Sequence, residues 1–342
     1  MKGVLIRKPH EAEYTDLPQP SVGAGQVLVR VALVGICMSD VEVYDGTRPA
    51  PYVSYPCVPG HEWCGTVVEV GAGVRHLTVG DRVAVEGHNY CGRCFFCLRG
   101  QTNLCESYNE LGFTLPGGYA EYVAVRADLA HPFSHSLPFE SAVLTEPGSC
   151  AGHGMLRADV RPGDTVAVVG PGTIGLLGAV WARALQAGRI IAIGLDRKSE
   201  PLARRIGATD YLAVTEDPPE RVRALTGGRG ADVVVEAAGS PTALALACDV
   251  ARRGGSVVAV GVAGGGRKLA LDPDMFCLKD LRVEGIFAYT SEIFQRTLRR
   301  IEDGGLDVRP FITHRFPLER FREAFQLLRD RPEPVLKIVL EP

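Results

Sequence analysis

The sequence predicts an α/β protein in which a β-rich domain precedes a doubly wound parallel sheet and a tail returns to the first domain. Three observations carry this expectation. Short Val-rich runs bounded by Gly and Pro fill the first half; strands alternate with helices from about Ala158; and the loop GPGTIG (170–175) stands between the first of those strands and its helix.

QVLVRVALV (26–34), GTVVEV (65–70) and VGDRVAVEG (79–87) are the β-rich runs of the first half. In the second half TVAVVG (165–170) reads as a buried strand, TIGLLGAVWARALQA (173–187) as a helix and IIAIGLD (190–196) as the next strand. The helical EPLARRIGA, strand YLAV (211–214), helical ERVRALT, strand DVVVEAAG (232–239), helical TALALACDVARR, and strands SVVAVGV (256–262) and RVEGIFA (282–288) follow. Six strands are what two mononucleotide-binding halves, the Rossmann arrangement, require. Beyond Ser291 two amphipathic helices, IFQRTLRRI and LERFREAFQLL, lead to a last strand, LKIVL, expected to pack against the first domain. The expected division is 1–157, 158–290 and 291–342.

The 342 residues are 46% hydrophobic and 23% charged, with a formal charge of -3 and no basic run that could track a phosphate backbone. Nucleic acid is therefore excluded as a partner. No stretch nears the roughly 18 uninterrupted apolar residues of a membrane span, and the N-terminus lacks a signal-type apolar core, so the expected location is the cytoplasm. A chain with room for a core has no need of disulfides, which points its ten cysteines to metal or thiol chemistry.

Gly170, Gly172 and Gly175 have the spacing in which the first permits a tight turn, the second admits a pyrophosphate and the third lets helix and strand pack closely. Thr173 and Ile174 open the helix, whose N-terminal N–H groups attract an anion. Asp196 ends the next strand, where a carboxylate accepts hydrogen bonds from ribose and repels a 2′-phosphate; this favours NAD over NADP, with Arg197 and Lys198 pulling the other way.

Cys91, Cys94, Cys97 and Cys105 offer four thiolates. These complete a tetrahedral Zn²⁺ and leave no position for substrate, so this cluster reads as a structural clasp. A second set lies elsewhere: Cys37 in GICMSD, His61 and Glu62 in PGHEWCG, and Glu146 in LTEPGS. Singly, these read as a small core residue, a turn histidine and a helix-end charge. Together they are candidate ligands of an open metal site.

The GHE box, the CxxCxxCx₇C loop, GDRV, the EP ahead of the nucleotide segment and GxGxxG resemble the zinc-dependent medium-chain alcohol dehydrogenases along essentially the whole chain. The resemblance implies a GroES-like catalytic domain, two zinc ions per chain and a dinucleotide cofactor. Glu146, where other members have Cys, is similar to the sorbitol (polyol) and L-threonine dehydrogenase branches. By this resemblance Cys37 and His61 ligate catalytic zinc, with Glu62 and Glu146 binding it directly or through water. Ser39 matches the hydroxyl that takes the alcohol proton; by itself it reads as a turn-forming serine. A partly ligated Zn²⁺ is a Lewis acid that acidifies a bound hydroxyl and favours hydride loss to nicotinamide.

The chain departs from the family's pattern in places. Glu42 stands where many members have the histidine that ends the proton relay, Met38 replaces a common Gly, and Ala288 replaces the polyol branch's Arg. His88, in EGH ahead of Cys91, is similar to a threonine dehydrogenase histidine near substrate, whereas its own context reads as an exposed loop histidine. By analogy Lys337 reaches cofactor phosphate, and otherwise it is a solvated lysine. The expected function is oxidation of a secondary alcohol on a polar, hydroxylated small molecule: a polyol, sugar, cyclitol or amino alcohol. The alternatives are an L-threonine 3-dehydrogenase, a zinc-free reductase of the same fold, and a non-catalytic cofactor-binding protein. Family members imply a homodimer or homotetramer, with RVEGIFA as a pairing edge.

Overall fold

The computed structural model describes all 342 residues, and its chain divides into two compact units. The first comprises residues 1–146, 290–304 and 311–342, and the second 147–289 and 305–310.

The first unit is built on a seven-stranded sheet. Its central strand, Gln26–Gly35, pairs antiparallel with Glu62–Val70 on one side and with Lys337–Glu341 on the other. Arg82–Val85 and Ala130–Phe133 extend the sheet beyond Glu62–Val70, Ile312–Pro317 closes the other edge in parallel with the C-terminal strand, and Tyr122–Arg126 adds to Gln26–Gly35. The tail therefore does rejoin the β-rich half, and it does so as a strand. Its register is the feature that matters for the site: Gly35 faces Val339 on one neighbour and Glu62 on the other. The core is apolar, with Val29, Val34, Ile36, Trp63, Val67, Val83, Phe113, Tyr119, Phe321, Phe325 and Ile338 all buried.

The second unit holds six parallel strands: Thr165–Val169, Arg189–Gly194, Asp210–Ala213, Ala231–Glu236, Ala251–Ala259 and Arg282–Gly285. Counted along the chain, their spatial order is 3-2-1-4-5-6, the doubly wound arrangement with its switch point beside the first strand. Both faces are covered by helices, which is why Val166, Ala167, Val168, Ile191, Ala192, Val234 and Val257 form continuous rather than alternating apolar runs.

Several element boundaries differ from the sequence expectation. The helix Pro241–Val250 stops short of ARR, and Ala251–Ala259 is already strand; RVEGIFA is strand only over Arg282–Gly285. The division at 146/147 falls ahead of the 157/158 boundary because most of the helix Thr145–Arg157 packs on the parallel-sheet unit. Trp181 Nε1 donates to Gly148 O at 2.9 Å, and a Cβ on Gly152 would lie 2.7 Å from the same indole.

Trp181 is fully buried and fixes this helix by both its ring and its N–H. Trp181→Ala is expected to cost about 3–5 kcal/mol through the cavity it leaves, with the buried Gly148 carbonyl unpaired in addition. Equilibrium denaturation measures this.

Candidate functional site

Cys37 precedes the helix Met38–Asp45 and takes extended backbone angles as its N-cap. Asp40, in the first turn, turns its carboxylate back, and Oδ2 accepts from Cys37 N at 2.8 Å. The same carboxylate is completely buried, accepts from Gly60 N at 3.3 Å and Tyr119 OH at 3.4 Å, and faces His61 Nδ1 at 3.4 Å. One carboxylate thus ties the loop of Cys37 to the corner before Glu62–Val70 and lies beside the His61 ring. Burial alone drives His61 toward its neutral form, but the charge and hydrogen bonding of Asp40 and Cys37 outweigh it and hold the pKa well above the ordinary histidine value. Sequence reasoning quoted Asp40 within GICMSD but gave it no role. The signal available was an acidic residue three positions after a candidate ligand, the spacing of a reciprocal cap.

The Cys37 thiol, the His61 ring and the Glu62 carboxylate each bring a ligand atom to within 4.8 Å of the others. Ligands at about 2.0–2.3 Å from a tetrahedral Zn²⁺ stand about 3.5 Å apart, so these three donors fit the ion with modest adjustment. Glu146 lies outside that cluster. It occupies the first turn of Thr145–Arg157, is buried, and is pushed up to about 8 by burial first, with His61 and Lys337 opposing and Glu62 and Glu110 adding to the rise. The site thus gathers three buried carboxyl groups, Asp40, Glu62 and Glu146, beside the Cys37 thiol, with the raised Glu146 largely protonated near neutral pH.

Glu62 has a cationic partner already. Lys337, on the C-terminal strand, is 3% exposed and donates from Nζ to Glu62 Oε2 and to Ile36 O at 3.1 Å. The pair crosses the strand between them at Gly35, where a Cβ would sit 2.4 Å from Glu62 Oε2. Burial lowers Lys337, but Glu62, Cys37 and Glu146 outweigh it and hold the ammonium above its usual value. This corrects the reading of Lys337 as a solvated lysine: it is buried, and its partner in the structure is the Glu62 carboxylate.

His88 likewise departs from the exposed-loop reading. It is 5% exposed, pairs by a backbone bridge with Glu110, and stands edge-on to Tyr108 at 6.2 Å. Tyr108 and Arg48 both donate to Glu110, and the Arg48 guanidinium lies 3.6 Å above the Phe113 ring, which in turn packs at 4.7 Å on His61. Ser39 and Glu42 occupy the helix that Cys37 caps, three residues apart and hence on neighbouring positions of one face.

The four cysteines at 91, 94, 97 and 105 converge in a loop of two short 3₁₀ turns, Cys97–Arg99 and Thr102–Leu104. Backbone N–H groups of Glu106 and Cys97 lower the Cys94 thiol to about 6, burial pushes Cys97 up to about 12, and Cys91 N donates to Cys105 Sγ at 3.2 Å. Peptide N–H groups directed at sulfur suit thiolates, which fits a Cys₄ zinc.

In the second unit the three glycines of GPGTIG differ in surroundings. Gly170 has φ +92°, and a Cβ there would strike Ala238 N at 2.6 Å. Gly175 packs on Gly170 O, where a Cβ would be 2.2 Å away, while Gly172, the N-cap of Thr173–Ala184, faces open space. That opening at the start of the helix is a cradle for an anion, which a side chain at 172 would fill. Asp196 follows the strand Arg189–Gly194, is exposed, and accepts from Lys198 N at 2.8 Å.

Removing the cation from the buried pair is the sharpest test of this geometry. Lys337→Met is expected to destabilise the protein by about 3–5 kcal/mol, and the double variant with Glu62→Leu to recover much of that loss, since the penalty is that of an unpaired buried charge. Denaturant unfolding of the three proteins measures it.

Two family profiles match the chain: "Alcohol dehydrogenase GroES-like domain" over residues 23–135 and "Zinc-binding dehydrogenase" over residues 173–303. It is 33% identical to a sorbitol dehydrogenase of Bacillus subtilis, covering 100% of this chain and 97% of that protein. It is 36% identical to an L-threonine 3-dehydrogenase of Bacillus licheniformis, with 95% of each covered. Among solved structures, a zinc-binding dehydrogenase from Sinorhizobium meliloti bound to NADP superposes with a TM-score of 0.92 at 29% identity, covering 100% of this chain and 99% of that one. An alcohol dehydrogenase from E. coli in complex with NADH does so at 0.93 and 27%, with the same coverage. No helix is long and apolar enough to cross a membrane. With fold, metal-ligand clusters and glycine loop in agreement with these matches, the chain belongs to the zinc-dependent medium-chain alcohol dehydrogenase family.

Proposed function

We propose that the protein oxidises a secondary alcohol of a polar, hydroxylated small molecule to a ketone, with NAD as hydride acceptor. The observation that carries this reading is the convergence of Cys37, His61 and Glu62 in a unit separate from the glycine loop. A structural clasp is already supplied by four other cysteines, which leaves the mixed S, N, O set for chemistry. Zinc held there supplies Lewis acidity to a substrate hydroxyl, and NAD supplies the hydride acceptor.

The chain's own residues do the rest. Cys37 and His61 hold the ion, with Glu62 and Glu146 as carboxylates that serve directly or through water. Asp40 fixes the orientation of His61. Ser39 Oγ accepts the alcohol proton, and Glu42, one turn on, receives it in place of the family's histidine. Thr173 and Ile174 present backbone N–H groups to the pyrophosphate, in the opening left by Gly172, and Asp196 accepts from ribose hydroxyls, which favours NAD. The buried polar group of His88, Tyr108, Glu110 and Arg48, which reaches His61 through the Phe113 ring, favours a hydroxylated substrate over a simple primary alcohol. The relatives named for sorbitol and for L-threonine bracket that choice, and the buried His88 keeps L-threonine as the second reading. We further place the protein in the cytoplasm, since ten free cysteines fit a reducing compartment, and expect a homodimer or homotetramer.

A panel of polyols, sugars, cyclitols and L-threonine with NAD tests the proposal; turnover confined to simple primary alcohols would contradict it. Cys37→Ser is expected to lower kcat by at least about 10³-fold with little change in melting temperature. Cys94→Ser is expected to do the reverse, lowering the melting temperature first and the zinc content from two to one. Burial raises the pKa of Glu42, whose carboxylate must be ionised to receive the proton, so kcat falls as pH drops through that raised value. Glu42→Gln should therefore lower kcat and flatten this acid limb. An unchanged limb would assign it to another group.

A further inference from the structure

The residue after Asp196 is an arginine, and an arginine near this position is what accommodates a 2′-phosphate in proteins that use NADP. Here its fork is occupied. Arg197 Nε donates to Glu216 Oε1 at 2.8 Å, Nη2 to Glu216 Oε2 at 2.9 Å and Nη1 to Glu200 Oε2 at 2.5 Å, so every guanidinium nitrogen has a carboxylate partner. Both carboxylates are themselves held. Glu200 Oε1 accepts from Arg204 Nε at 2.9 Å, and Glu216 Oε2 from Ala213 N at 3.2 Å. Glu216 closes the short turn Val214–Glu216 after the third parallel strand, so the clamp ties two successive strand ends together on the side where Asp196 stands.

We infer that Glu216, with Glu200, is a specificity-determining residue for the dinucleotide: it sequesters Arg197 from a 2′-phosphate and leaves Asp196 to select the ribose diol of NAD. The inference rests on the reading of this loop as the dinucleotide site. A bidentate Arg–carboxylate pair has the geometry that an Arg–phosphate pair would need, so the two compete for the same N–H groups. Lys198 does not substitute for Arg197, because its ammonium is a point charge without the planar fork and lies 3.8 Å from Asp196.

Titration of NAD and NADP by calorimetry against the wild type, Glu216→Ala, Glu200→Gln and the double variant Glu216→Ala/Arg197→Ala tests this. The wild type is expected to prefer NAD. Glu216→Ala is expected to tighten NADP about tenfold, Glu200→Gln to act in the same direction by less, and removal of Arg197 from the Glu216→Ala background to abolish the gain. NADP affinity within twofold of wild type in both single variants would overturn the inference while leaving the NAD reading intact. A gain that survives removal of Arg197 would overturn it too, assigning the effect to repulsion by Glu216 itself. A wild type that prefers NADP, or binds neither dinucleotide, would overturn the reading on which the inference stands.

Discussion

The Asp40 carboxylate is the constraint on which the candidate catalytic site depends. It is wholly buried, and a buried carboxylate persists only where its lone pairs are satisfied. Three donors do this from three places in the chain: the peptide N–H of Cys37, the peptide N–H of Gly60 and the hydroxyl of Tyr119. With its position set in this way, the same group faces the His61 ring. Two candidate ligands, Cys37 and His61, are thereby brought to one place by a carboxylate that contacts both their segments. Such outer carboxylates fix ring orientation and raise the basicity of a ligating histidine.

The second carboxylate is organised by sheet register. Gly35 sits between Glu62 and the C-terminal strand, and its missing side chain lets the Lys337 ammonium reach across to the Glu62 oxygen. Folding of the tail into the central sheet is thus coupled to the electrostatics of the site. Lys337 offsets Glu62, the raised His61 stands beside Asp40, and the raised Glu146 is largely protonated near neutral pH, so the buried charges of the site stand in pairs.

Much of this was legible in the sequence, for physical reasons that can be stated. Parallel strands buried on both faces give unbroken runs such as TVAVV and VVVE, and a phosphate loop needs glycines at fixed offsets, so the second unit announces itself. Four cysteines with two, two and seven residues between them do the same for the four-cysteine loop. The N-terminal hairpin, Lys2–Lys8 with Glu11–Asp16, escaped notice because its outward face alternates charges that read as surface. The helix Met38–Asp45 was missed because it is short and rich in Val, with little apolar periodicity, and Asp40 went unassigned with it. Lys337 and His88 were misjudged because burial of a polar side chain is decided by partners distant in sequence, Glu62 for one and the Tyr108–Glu110 segment for the other. The end of Pro241–Val250 was placed too late because TALALACDVARR has no glycine or proline to stop it.

X-ray absorption at the zinc edge, on the purified wild type and on a variant lacking the four-cysteine clasp, measures the central claim directly. The account predicts two environments in the wild type: one of four sulfurs at about 2.3 Å, and one of a single sulfur with nitrogen and oxygen neighbours at about 2.0–2.2 Å, the second alone persisting in the variant. A spectrum of sulfur ligands only, vanishing with the clasp, would mean that Cys37, His61 and Glu62 hold no metal.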